Sequence, residues 1–173
     1  MKIGAHVSTS GGVQNAVNNA MAIEAECIQI FASSPRAWAF RPQDSGSVDK
    51  FLNEIGNIPV FLHGSYLINL GGDPELLQKS IKSLIDHMNA AYQLKAKGVI
   101  FHCGSHKGAG FKAIFDQAVN CLETVLDETP KETLLIIENS AGAGGQIGSQ
   151  LTEIGQLISK VENPRLTVCI DTQ

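Results

Sequence analysis

Five side chains able to bind metal recur at one kind of position along this chain. His6, His63, His102, Glu138 and Asp171 each fall at or just past the last apolar residue of a short hydrophobic run. The runs read KIGAH, VFLH, GVIFH, LLIIE and LTVCI. Two imidazoles and one carboxylate form a set that suits a catalytic zinc ion, with a further position open to water. A lone histidine beside a strand has many other uses. Glu138 strengthens the joint case, because it follows four apolar residues directly and a buried carboxylate without a partner is costly. His63, His102 and Glu138 are therefore the candidate ligands of one divalent metal, zinc by its chemistry. Asp171 closes the last run in the same way and offers a ligand to a second metal, with Glu138 bridging. Two metals about 3.5–4 Å apart activate a water and stabilise a leaving oxygen. His6 is expected to orient ligands or line the cleft rather than bind.

The remaining polar candidates are weaker. His106 lies in the loop Gly104-Ser105-His106-Lys107-Gly108, where substrate contact and plain exposure are both open readings. His87 falls mid-helix in Asp86-His87-Met88 and reads as a surface or helix-packing residue. Cys27, Cys103, Cys121 and Cys169 are widely spaced with no C-x-x-C pair, so reduced thiols are expected. Cys103, beside His102, is the one near the candidate site.

The elements that must position these groups alternate from start to finish. Strand-like runs are expected at 2–7, 27–31, 59–63, 98–102, 133–138 and 166–170. Helical spacing fills 11–25, 48–55, 73–95, 111–127 and 150–161. Ser8-Thr9-Ser10 offers a cap for the first helix, and Asp73-Pro74 opens the third as a cap followed by proline at the first turn. Continuously apolar strands belong to a parallel sheet buried on both faces, and repeated β-then-α units imply a parallel α/β fold. In a (β/α)₈ barrel the active site gathers at the C-terminal strand ends, which is where the five polar residues fall. The fold class is thus α/β, a TIM-type barrel with about six of its eight parallel strands within residues 1–173, read as a single domain. No G-x-G-x-x-G or G-x-x-x-x-G-K-[ST] motif follows the first strand, so phosphate-loop folds lose support.

The chain has 173 residues, 43% hydrophobic, which suffices for one domain with a real core. No apolar run approaches the ~20 residues of a membrane span, and the N-terminus lacks the apolar segment of a signal peptide. A cytoplasmic protein is expected. The net charge of −4 argues against a plain DNA-coating role but not against an enzyme with a local cleft.

Longer motifs add a resemblance. Gly4-Ala5-His6-Val7-Ser8 with Gly11-Gly12 opens the series, and His63-Gly64-Ser65-Tyr66-Leu67-Ile68-Asn69-Leu70 follows. Phe101 to His106, Ile137-Glu138-Asn139-Ser140-Ala141-Gly142 and Val168 to Thr172 complete it. In order and spacing these resemble the endonuclease IV family of apurinic/apyrimidinic (AP) endonucleases, AP endonuclease family 2, in its amino-terminal part. The resemblance implies a (β/α)₈ barrel with three zinc ions that hydrolyses the phosphodiester 5′ to abasic sites in double-stranded DNA, in base excision repair. It implies that His63, His102 and Glu138 hold one zinc, and that Glu138 and Asp171 supply two ligands of the next, while the third zinc's ligands match nothing in this sequence. It places Glu138 in the catalytic role. It matches Ser33-Ser34-Pro35-Arg36-Ala37-Trp38 to a loop that inserts into DNA at the lesion, with Arg36 as the intercalating residue. It matches Tyr66 to a lesion-contacting tyrosine, for which packing is an equal alternative. Cys103 stands where the family usually has proline, and either adds a soft ligand or matters little.

Two other readings stay open. One is a sugar isomerase or epimerase of the related xylose-isomerase-like barrels, using the same strand ends. The other is an inactive truncated barrel that binds a metal, or self-associates through its open sheet edge, where the full family protein is implied to be monomeric.

Overall fold

A computed structural model describes residues 1–172. Its strands are β1 (Gly4–His6), β2 (Cys27–Phe31), β3 (Val60–His63), β4 (Gly98–His102), β5 (Leu134–Glu138) and β6 (Leu166–Cys169). Between them run α1 (Asn15–Ala22), α2 (Ser45–Glu54), α3 (Pro74–Gln93), α4 (Phe111–Asp127) and α5 (Leu151–Val161). The strands form one sheet in chain order, each parallel to the next. This is the expected α/β architecture, with the sheet open between β1 and β6 among the described residues.

The register separates two faces. Ile28 pairs with Val60, Ile30 with Leu62, Leu62 with Val99 and Phe101 with Ile137. These side chains are buried and join the core with Phe51, Leu84, Met88 and Leu122 from the helices. The other face carries the polar strand ends. Phe31 pairs with His63, His63 with Ile100, and His102 with Glu138. His63 therefore sits one pleat below His102 and Glu138 on the same face, because side chains alternate with period two.

Three expectations need correction. The strands were read as buried on both faces, which holds for β3, β4 and most of β5. All of β1 is exposed, and Val168 in β6 is 41% exposed. Among the described residues each of these edge strands has a single strand neighbour. Helix α1 starts at Asn15 rather than Gly11, because Gly11 and Gly12 hold positive φ in a turn. Ser8-Thr9-Ser10 does not cap it: Thr9 Oγ1 instead donates to the Phe31 carbonyl at 2.9 Å. Helix α2 begins three residues earlier than its apolar spacing suggests, since the Asp44 side chain accepts from the Ser47 amide and caps it. The Asp73-Pro74 start of α3 is as expected, with Asp73 Oδ1 accepting from the Leu76 amide at 2.9 Å. No helix among the described residues is long and apolar enough to cross a membrane.

Candidate metal centre

Glu138 lies at the centre of the cluster. Its Oε2 is 3.4 Å from His63 Nε2 and 3.4 Å from His102 Nε2. The three donor atoms lie within 4.8 Å of one another. His63 is buried, and the Glu138 side chain is 14% exposed. Charge-assisted N–H···O bonds run at about 2.7–2.9 Å, so 3.4 Å is long for a direct bond. Atoms bound at about 2.0–2.1 Å to one tetrahedral zinc lie roughly 3.4 Å apart. The two distances from Glu138 are those of a tetrahedron's edge.

The protons support this fit. His63 Nδ1 lies 2.8 Å from the Gly64 carbonyl, which can only accept, so Nδ1 carries the hydrogen. In the neutral ring Nε2 then presents a lone pair to a carboxylate oxygen. Two acceptors face each other across a mostly dry gap, an arrangement that calls for a cation or a proton between them. The Glu138 Oε1 atom turns the other way and accepts from the Cys169 thiol at 3.9 Å. Burial, followed by the carboxylates of Glu138 and Asp171, pushes that thiol's pKa up, so it stays a neutral donor.

Aromatic rings wall the cluster. His63 packs against Phe31, Tyr66 and His102 with centroids 5.3, 5.2 and 5.5 Å away. His6, at the end of β1, stands 6.4 Å from His63 by ring centroid and binds Gln29 Oε1 through Nδ1 at 3.0 Å. Burial holds its pKa below the usual imidazole range, and nearby His63 adds to this against the Gln29 bond. It lines the site, as expected, and lies outside the three-atom cluster.

The outer residues occupy the same rim. Arg36 is exposed at the tip of the 33–38 loop, and Tyr66 is exposed beside the metal cluster. The two segments are tied together: the Pro35 carbonyl accepts from the Tyr66 amide at 2.9 Å and from Ser65 Oγ at 3.0 Å. A cleft of about 400 Å³ runs from Tyr66 past His102 to Asn139 and Asp171. On the other flank a cleft of about 750 Å³ is lined by His6, Ser8, Thr9, Ser33, Ser34 and Arg41.

Comparison with known proteins fixes the lineage. The model of the xylose isomerase-like TIM-barrel family, AP endonuclease 2, matches residues 17–173. The chain belongs to this family. A protein described as probable endonuclease 4 from Halothermothrix orenii is 34% identical over 177 residues, covering 99% of this chain and 64% of that protein. Endonuclease IV from Thermus thermophilus superimposes with a TM-score of 0.86 at 32% identity, over 99% of this chain and 63% of that structure. The chain thus spans just under two thirds of the length of these relatives. A 3-keto-D-glucoside 4-epimerase from Escherichia coli shares the fold alone, with a TM-score of 0.73 at 13% identity. The endonuclease IV resemblance read from the motifs is borne out.

Within this family member, the remaining candidates fall into place. Asp171 is not among the three clustered donors. Its backbone is held by Asn139, whose Oδ1 accepts from the Asp171 amide at 2.6 Å and whose Nδ2 donates to the Asp171 carbonyl at 2.8 Å. Asn139 was not singled out from sequence, although it directly follows Glu138 in the IENSAG block. Asn69 was missed too. Its Oδ1 accepts from the Gly71 and Ser105 amides, joining the SYLINL segment to the loop after β4. Gly104 is needed there, with φ of +83° and no room for a Cβ beside Asn69. His106 is half-buried, and its Nδ1 accepts from the Gly108 and Gly110 amides, closing its own loop. His87 is buried rather than at the surface, so packing is the reading that holds.

Cys103 is fully buried, outside the donor cluster, with its pKa pushed up to about 12 mainly by burial. It is expected to resist a thiol reagent at pH 8 in the folded protein and to react only on unfolding, because the thiolate is the nucleophile. Counting thiols with and without denaturant checks this, and rapid labelling of Cys103 in the native fold would refute it.

Proposed function

We propose that this chain provides the first zinc centre and the DNA-facing rim of a cytoplasmic DNA-repair endonuclease, which hydrolyses the phosphodiester 5′ to abasic sites and leaves a 3′-hydroxyl. The spacing of His63, His102 and Glu138 supports the reading most directly. Bound there, zinc polarises a phosphoryl oxygen and lowers the pKa of water. His63 and His102 would hold the metal through Nε2, and the Gly64 carbonyl fixes the His63 ring in the binding tautomer. Glu138 offers one oxygen to the metal. The other, which also accepts from the Cys169 thiol, would orient the attacking water or serve a second zinc. Asp171, at the rim of the adjoining cleft, is the ligand assigned to that second zinc.

The rim suits nucleic acid. Arg36 projects from a loop braced against the Tyr66 segment, a wedge and an aromatic ring side by side, as proteins that kink DNA use them. Hydroxyls and Arg41 around the larger cleft are donors suited to phosphate oxygens. An epimerase has no use for such a wedge, so the rim favours the nuclease over the sugar-isomerising reading.

The test is incubation of the zinc-loaded protein with a duplex holding one abasic site, mapping any cut and measuring binding against intact duplex. Incision 5′ to the lesion, or preferential binding of the abasic duplex, supports the proposal. Turnover of a ketose with no response to abasic DNA overturns it. Arg36→Ala is expected to weaken abasic-duplex binding roughly 10–100-fold, the range for losing one stacked contact. Unchanged affinity would remove Arg36 from the DNA surface.

A further inference from the structure

The loop that carries Arg36 is a closed structure with few attachments. Its neck is tied where Gln43 Nε2 donates to the Ala32 carbonyl, and Ser33 Oγ donates to the Ala39 carbonyl at 3.4 Å. Its tip turns where the Ala37 amide donates to the Ser34 carbonyl at 3.4 Å. The Ser65–Tyr66 segment grips one side through Pro35. On the return side, Phe40 is half-buried and packs against the core. It meets the ring of His87 on α3 edge to face, with centroids 5.0 Å apart and planes at 71°.

His87 is unusual for a core residue. It is only 3% exposed. Its Nδ1 lies 2.7 Å from the Ser83 carbonyl, which can only accept, so Nδ1 carries the hydrogen. Nε2 is then an acceptor, buried with no hydrogen-bond partner. An unpaired buried acceptor is a cost that an apolar residue here would not carry. In return the ring meets Phe40 in the favourable edge-to-face geometry. Burial also holds the imidazole below its usual pKa, which keeps it neutral beside an aromatic ring.

We propose that His87 is a positioning residue which, through its ring contact with Phe40, docks the return limb of the 32–43 loop on α3 and so sets where Arg36 stands. The docking stands on the contacts just given; its relevance to DNA rests on the function proposed above. Without the contact, the limb from Ala37 to Pro42 keeps its neck, its Pro35 tether and the apolar packing of Phe40 against the core, but loses its ring anchor on α3, and the tip samples more positions. Such a loop loses affinity for its target because ordering must occur on binding.

Trp38 is the only tryptophan in the chain and lies in this limb, so its fluorescence reports docking without DNA. Acrylamide quenching is to be compared in the wild type, His87→Ala, Phe40→Ala and His87→Phe, with circular dichroism confirming the fold. His87→Ala and Phe40→Ala are expected to raise the quenching constant about twofold, the mark of a locally loosened segment. His87→Phe retains a ring and removes the unpaired acceptor, so it should restore the wild-type value. Unchanged quenching in folded His87→Ala overturns the proposal. If His87→Ala does not fold, Phe40→Ala decides: increased quenching supports docking and unchanged quenching overturns it. The same proteins are then titrated with an abasic-site duplex, where loosened variants should bind about tenfold more weakly. Loosened quenching with unchanged abasic-duplex affinity leaves the docking intact and instead counts against the DNA role of the loop.

Discussion

Replacing Glu138 with glutamine is expected to erase the stabilisation of this protein by zinc while leaving its metal-free form at least as stable as the wild type. The two halves have opposite physical origins. In the metal-free protein Glu138 Oε2 lies 3.4 Å from His63 Nε2, which presents a lone pair whenever the ring is neutral. A glutamine keeps the shape, removes the charge and offers an N–H where two acceptors stood opposed, so the fold loses a repulsion and gains a donor. With zinc present the balance reverses, because the carboxylate is the charged member of the ligand set. At zinc a hundredfold above its dissociation constant, the wild type should gain about 2.7 kcal/mol, which raises Tm by roughly 5–11 °C for a chain of this size. Glu138→Gln should show little of that rise. Thermal scans with and without one equivalent of zinc, alongside elemental analysis, check both halves. A variant that still takes up zinc and shifts in Tm like the wild type would remove Glu138 from the metal ligands.

That prediction bears on how much of the site was legible in sequence. The cluster of His63, His102 and Glu138 was readable because each member terminates an apolar run, and a strand's last residue must emerge at the sheet's C-terminal end. What the pattern could not give was the depth of each residue. His63 lies a pleat below His102 because β3 and β4 pair His63 with Ile100 rather than with His102, and parallel register is set by packing between strands rather than by either strand alone. The same limit hid Asn139 and Asn69. Their roles are hydrogen bonds to loops distant in sequence, and no local periodicity encodes such a partner. The closure of the His106 loop was hidden for a related reason: its partners are backbone amides two and four residues on, and it depends on the positive φ of Gly108 and Gly110. The fold was more legible than the site because alternating apolar runs over-determine a parallel α/β sheet. The exposed edge strands were not, since a strand's sequence does not say whether it has one neighbour or two.

Arg165 shows a further device that patterning missed, and its loss should be the most damaging single change away from the metal centre. This arginine immediately precedes β6 and is buried; the carboxylates of Asp127 and Glu132 favour its charge, but among the described residues none lies within ion-pair distance of its guanidinium. Instead Nη1 donates to the Pro130 carbonyl at 2.9 Å, to Thr129 Oγ1 at 3.4 Å and to the Thr133 carbonyl at 3.5 Å. Nη2 donates to the Leu126 carbonyl. One planar fork thus satisfies acceptors at the C-terminal end of α4 and in the turn before β5, and it ties both to the start of β6. A positive charge here also faces the negative end of the α4 dipole. Arg165→Leu strips all these acceptors of their donor and is expected to cost about 3–5 kcal/mol, since each hydrogen bond to a charged donor contributes about 1.5–3 kcal/mol and partial rehydration recovers some of it. Tm should fall by roughly 6–20 °C. Arg165→Lys should recover less than half of this, because a single ammonium cannot span acceptors arranged for a fork. Arg165 sits at the opposite end of the strands from His63, His102 and Glu138, so its loss should add to the effect of metal rather than couple to it. Zinc should therefore still raise the melting temperature of Arg165→Leu by about the wild-type increment. A variant that loses both stability and zinc response would show that the base of β6 and the metal centre at its far end are one cooperative unit.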